Sequence, residues 1–207
     1  TFVLSTPAPW LSLSRDQCST GLARRLVQSL APFLSRSKST ARRLLYVDPA
    51  THFNVGDNLI VEGTLRLIRA LGWRDEEIAP CSIYQGAYGP PVLEECGAYT
   101  QFKDEGRDAL AIWHGGGNWG DLYREPHDAR MASLGTLLRM NYTVVGMPQS
   151  MRYQNRETAK KEAAYLNELV EASPGRLILC WRQKNSWQEA RSLFPAVQHL
   201  LVPDAAF

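Results

Sequence analysis

The residues best suited to chemistry in this chain sit in one run, Ile112-Trp113-His114-Gly115-Gly116-Gly117-Asn118-Trp119-Gly120-Asp121-Leu122-Tyr123. The apolar stretch Ala109 to Trp113 reads as a buried strand that runs straight into glycines. Glycine leaves the backbone bare and permits positive φ. A strand that ends in such a loop, ahead of a helix, lets a ligand lie against main-chain N–H groups. That arrangement suits phosphate, carboxylate or sugar hydroxyls. Two other readings stand beside it. Glycine clusters also mark purely structural turns. Gly115, Gly117 and Gly120 also fit the spacing G-x-G-x-x-G, but a dinucleotide site needs an acidic residue at the end of the next strand. Pro148-Gln149-Ser150 stands there instead.

Four further positions could join the glycines. In Asn54-Val55-Gly56-Asp57-Asn58, Asp57 is expected to cap the helix that follows. A helix start behind a glycine can face an anion, and Asp57 could equally orient a sugar hydroxyl or act as a base. Gln149 and Ser150 could bond a ligand or merely close a turn. Arg182 follows a buried strand, where a guanidinium matches carboxylate or phosphate in a two-pronged fashion; it could also be a plain surface charge. His114 is the histidine with the most suggestive surroundings, His52 is second, and His127 and His199 have no such context. Ligand spacing supports no metal site, and there is no G-x-S-x-G nucleophile elbow.

These residues must be held by an alternation of strands and helices. Strands are expected at Leu44–Val47, Ala79–Tyr84, Ala109–Trp113, Thr143–Met147, Arg176–Trp181 and His199–Val202. Between them, helices are expected at Asn58–Leu71, Pro126–Met140, Glu157–Ala172 and Trp187–Leu193. Asp16–Leu34 fits an amphipathic helix with Leu22, Leu26, Val27, Leu30 and Phe33 on one side. Ser35–Arg43 is polar and basic, either a solvated linker or an anion-facing rim. Alternation of this kind implies a doubly wound, mainly parallel sheet. Ligands in such sheets bind beyond the carboxyl ends of the strands, so the loops after Val47, Trp113, Met147 and Trp181 should gather on one edge.

The 207 residues, 44% hydrophobic, can bury a substantial core, and a net charge of +2 does not point to nucleic acid as a partner. Cys18, Cys81, Cys96 and Cys180 form no C-x-x-C pair, so neither zinc nor a disulfide framework is implied. Cys81 and Cys180 lie in apolar runs and read as small core residues. No run is long enough to span a membrane. The first residue is Thr1 rather than Met, so the natural N-terminus, with any targeting signal, is expected to lie outside this sequence.

Taken together, these residues resemble the polysaccharide pyruvyl transferase family. Asn54-Val55-Gly56-Asp57 looks like its N-[IVF]-G-D motif, and Asp108 through Asp121 looks like its glycine-rich motif. Val145-Gly146-Met147-Pro148-Gln149-Ser150 is similar to its proline-glutamine-serine strand. Arg182 and Ser186 match an Arg followed by a Ser, and Pro203-Asp204-Ala205-Ala206-Phe207 looks like its Pro-Asp-x-Ala-Phe segment. The match runs from about Leu44 to the last residue. The resemblance implies two Rossmann-like halves of the glycosyltransferase B type. This chain would supply the first half, residues 44–207, behind a helical and linker segment, residues 1–43. It implies phosphoenolpyruvate as donor, no bound cofactor, and transfer of a pyruvyl group as a ketal onto two hydroxyls of a glycan. It implies catalytic roles for Asp57, His114 and Asn118. It places Asn54, Gly56, Asn58, Gly115, Gly116, Gly117, Gly120, Asp121, Gln149, Ser150, Arg182 and Ser186 around the substrates. The family's second half would begin where this sequence ends, so the alternative is a non-catalytic sugar- or anion-binding module of the same fold.

Overall fold

The computed structural model of the protein describes residues 21–39, 41, 43–50, 54–81 and 109–206, apart from the side chain of Asn118. Strands β1 (Leu44–Val47), β2 (Ile78–Cys81), β3 (Leu110–Trp113), β4 (Gly116–Gly120), β5 (Thr143–Arg152), β6 (Arg176–Trp181) and β7 (Gln198–Leu201) form one sheet. Its order is β2-β1-β3-β5-β6-β7, with β4 also paired to β5, and every pairing is parallel. The helices are α1 (Gly21–Leu34), α2 (Val55–Ala70), α3 (Arg124–Arg139), α4 (Arg156–Ala172) and α5 (Lys184–Leu193).

Strand residues alternate between two cores because successive side chains leave opposite faces of a sheet. Leu45, Val47, Ala111, Trp113, Val144, Leu177, Leu179 and Trp181 pack with residues of α3, α4 and α5. Leu44, Tyr46, Leu110, Ile112, Val145, Ile178 and Cys180 pack with residues of α1 and α2. Helices on both faces make the sheet doubly wound and Rossmann-like, as the alternation requires. Helix α1 belongs to the second core through Ala23, Leu26, Leu30 and Leu34, while Leu22, expected on its apolar side, is exposed.

Several boundaries differ from expectation for identifiable reasons. The cap of α2 is Asn54, whose side chain accepts the N–H of Gly56 at 2.9 Å, so Asp57 lies in the first turn rather than at the cap. Within the run Ser35–Arg43, Arg36–Lys38 make a single tight turn, and Arg36 lies over the Trp73 ring and pairs with Glu77 at 3.1 Å, near the carboxyl end of α2. Cys81 and Cys180 are both buried in the core, but Cys81 is disulfide-bonded, which spacing alone could not reveal. The expected strand at Ala79–Tyr84 is seen as Ile78–Cys81, its last residues lying outside the described set, as do His52 and the expected helix before Gly21.

The largest difference is at the motif itself. Strand β5 does not stop at Met147 but continues through Pro148-Gln149-Ser150 to Arg152. Its first part pairs with β3, Trp113 opposite Gly146; its second part pairs with the glycine run, now β4, with Gly116 opposite Gln149 and Gly120 opposite Arg152. Glycine and proline are poor strand formers, so local sequence points to loops at both places.

Candidate functional site

Chain order places the site. After β1 the chain steps outward to β2 and then returns to the other side of β1 as β3, so the topological switch lies between β1 and β3. A crevice opens beyond the carboxyl ends of strands at such a switch. The segments after Val47 and Trp113 lie there, with the start of α2, and β4 continues the line of β3 upward along β5.

The glycines of the motif divide by what surrounds them. A Cβ on Gly115 would come 2.6 Å from the Pro148 carbonyl, and one on Gly120 would come 2.0 Å from the Arg152 carbonyl. At these two glycines the chain packs closely against β5. Gly120 also has φ +117 and Gly116 φ +125, a region that L side chains rarely adopt. Gly116 is buried against the first turns of α2, and Gly117 is exposed. A Cβ on Gly116 would lie 3.8 Å from Asp57 Oδ1, and one on exposed Gly117 would lie 3.5 Å from Arg182 Nη2. The glycine strand thus passes between a carboxylate at the start of α2 and a guanidinium after β6.

Arg182 is gripped from two sides. Its Nε donates to Ser150 Oγ at 2.7 Å, and its Nη1 donates to Asp204 Oδ2 at 2.5 Å. The Arg182 and Asp204 side chains remain 26% and 32% exposed, so the pair is reachable from solvent. Asp204 in turn accepts the Ala206 N–H at 3.1 Å, and this terminal segment crosses α2 where Gly63 stands. A Cβ on Gly63 would fall 1.6 Å from the Ala205 carbonyl oxygen. Gly63 escapes a sequence reading because a glycine inside a helix is locally just a weak helix former.

The other expected residues separate into those at the edge and those engaged within the fold. Asn54 and Asn58 are exposed at the start of α2, with Gly56 between them. His114 is only 2% exposed, and its Nδ1 shares a 2.8 Å hydrogen bond with Tyr46, whose phenol is pushed up by burial and stays protonated. Gln149 is buried against Gly146, and its Nε2 has no hydrogen-bond partner among the described residues. Ser186 is buried and its hydroxyl accepts the Met151 N–H at 3.0 Å, which ties it to the far end of β5. Asp121 accepts the N–H groups of Gln154 and Asn155 at 2.7 and 2.8 Å, bonds that keep its carboxyl below the usual range; it ties the turn before α4. Asn118 contributes its backbone to β4.

Two buried polar groupings support this edge without being legible in the sequence. Asp48, at φ +58 just past β1, binds Arg130 of α3 at 2.6 Å, both nearly inaccessible. In the second grouping, Trp119 Nε1 donates to Tyr153 Oη at 3.1 Å and Tyr153 donates to Glu162. Glu162 also bonds His127 Nε2 at 2.7 Å. This chain of bonds ties β4 to the ends of β5, α3 and α4, and burial with the neighbouring Glu162 charge pushes the Tyr153 phenol far up. His127, with no suggestive neighbours in sequence, is therefore part of the scaffold. Among the described residues no three His, Cys, Asp or Glu side chains are grouped to hold a metal ion, and no helix is long and apolar enough to cross a membrane.

Fold and edge together define a Rossmann-like domain with a candidate site at its topological switch. Residues 54–207 match the polysaccharide pyruvyl transferase family, and the chain belongs to that family. EpsO of Bacillus subtilis (strain 168), which carries a provisional pyruvyl transferase name, is 27% identical over 164 residues. That alignment takes in 79% of this chain and 44% of EpsO, so the chain spans less than half the length of this relative. The crystal structure of a functionally uncharacterized protein of Klebsiella pneumoniae subsp. pneumoniae NTUH-K2044 superposes with a TM-score of 0.51 at 16% identity. It covers 91% of this chain and 57% of that one and supports the fold alone.

Proposed function

We propose that this domain binds phosphoenolpyruvate for pyruvyl transfer to a glycan. The observation that carries the reading is Arg182, a permanently charged fork on the carboxyl edge, partly exposed, with Nη2 turned toward the bare backbone of Gly117. In the reaction proposed, a proton adds to the methylene carbon of the donor and one sugar hydroxyl bonds the central carbon. Phosphate leaves, and a second hydroxyl closes the ketal. The two hydroxyl protons offset the proton taken up and accompany the phosphate. Arg182 would hold an anionic end of the donor. Asp57, in the first turn of α2 and on the Gly116 side of the crevice, would orient or deprotonate a hydroxyl.

Calorimetric titration of phosphoenolpyruvate tests the donor assignment. Arg182→Ala should weaken binding by about 1.5–3 kcal/mol, roughly 10- to 150-fold, the worth of a charge-assisted hydrogen bond. Arg182→Lys should restore only part, since a point charge lacks the fork. Equal affinity in all three proteins would remove Arg182 from the site. Phosphate release in the presence of galactose-containing acceptors tests transfer itself; binding without release would favour the non-catalytic module.

A further inference from the structure

We infer that Asp204 is a positioning residue: it fixes the guanidinium of Arg182 so that its Nη2 edge faces Gly117, and it is itself set in place by Gly63. This rests on the reading of Arg182 as the donor's anion contact. Arg182 ends on a long flexible stem, and an unrestrained arginine loses substantial rotamer entropy when it binds. Here two partners from different elements hold opposite edges of the fork, Ser150 of β5 at Nε and Asp204 of the terminal segment at Nη1. Among the described residues Nη2 has no hydrogen-bond acceptor. The bare backbone of Gly117 leaves that nitrogen uncovered, since the first atom of any side chain there would sit 3.5 Å from it. The Asp204 carboxylate is placed by its own bond to the Ala206 N–H and by the close seat of Ala205 on Gly63. Gly63 thus acts on an anion site that it does not touch.

The test compares the whole chain with Asp204→Ala, Asp204→Asn and Gly63→Ala, each also in an Arg182→Ala background. In phosphoenolpyruvate titrations Asp204→Ala should weaken binding roughly fivefold, the cost of immobilising one long side chain. Asp204→Asn keeps an acceptor for Nη1 and should bind as well as wild type or better, because a competing negative charge is gone. Gly63→Ala leaves every polar group of the site intact, favours its own helix, and should reproduce the loss. All three effects should vanish when Arg182 is absent, as residues acting through one partner are non-additive. A second readout needs no ligand. The side-chain Nε–H signal of Arg182 in nitrogen-15 spectra, assigned by its loss in Arg182→Ala, should be ordered in wild type and Asp204→Asn. It should be averaged in Asp204→Ala and Gly63→Ala. An Asp204→Ala protein that binds tighter or keeps an ordered Arg182 would overturn the inference, as would an effect that persists without Arg182. Ordered spectra with no phosphoenolpyruvate binding in wild type would instead sink the proposed function and leave the positioning role standing.

Discussion

The division of the glycine motif into closely packed and exposed members makes a sharp prediction for Gly120→Ala against Gly117→Ala. At Gly120 the added methyl would sit 2.0 Å from the Arg152 carbonyl oxygen and 2.7 Å from its carbon, both backbone atoms of the paired strand β5. Relief requires β4 to part from β5. The backbone at φ +117 adds strain of about 1–3 kcal/mol, and overpacking adds about 1–3 kcal/mol. The sum, about 2–6 kcal/mol, corresponds to a fall in Tm of roughly 4–24 °C for a chain of this size. At Gly117 the methyl would lie 3.5 Å from the end of a partly exposed arginine, an ordinary contact, and no positive φ opposes it. Stability should therefore change by no more than about 0.5 kcal/mol. The methyl does cover Nη2, so phosphoenolpyruvate binding should weaken about tenfold, as for one charge-assisted bond. Circular-dichroism melts read the first effect and calorimetry the second. Equal melting temperatures in the two variants, or a destabilised Gly117→Ala protein, would refute the assignment.

Two further predictions concern the scaffold. Tyr153→Phe removes the hydroxyl between Trp119 and Glu162, leaving a buried donor and acceptor to be satisfied elsewhere. Urea unfolding should show a loss of about 1–3 kcal/mol, and an unchanged midpoint would argue that the network contributes nothing. His199 is a pH-dependent element. Trp181 Nε1 donates to its Nδ1 at 2.9 Å and its Nε2 donates to the Phe194 carbonyl, so the folded ring is neutral. Burial, aided by the Arg191 charge, holds it below its ordinary value of 6.5. The unfolded chain takes up the proton first as pH falls, so this contribution is complete above about pH 6.5 and is lost below it. The difference in Tm between wild type and His199→Gln should shrink from pH 7.5 to pH 5; a constant difference would contradict the assignment.

Periodicity and the spacing of turn residues were enough to set the layered architecture of this protein. Apolar runs such as Leu44–Val47 and Arg176–Trp181 could only be strands buried on both faces, and the helices between them forced parallel pairing. The positions of Asp57, the glycines and Arg182 at strand ends followed, because in a parallel sheet all such ends share one edge. Local signals could not tell which of those residues face the crevice. Gly115 and Gly117 look alike in sequence; whether a carbonyl of β5 or a guanidinium lies above each depends on a strand more than thirty residues away. Asp121 and Ser186 are polar residues at the right places in the motifs, yet their polar atoms serve backbone N–H groups brought to them by β5. The grip of Asp204 on Arg182 and the seat of Ala205 on Gly63 likewise join segments far apart in the chain. Such contacts are set by how closely two backbones approach in space, and only tertiary packing decides that distance.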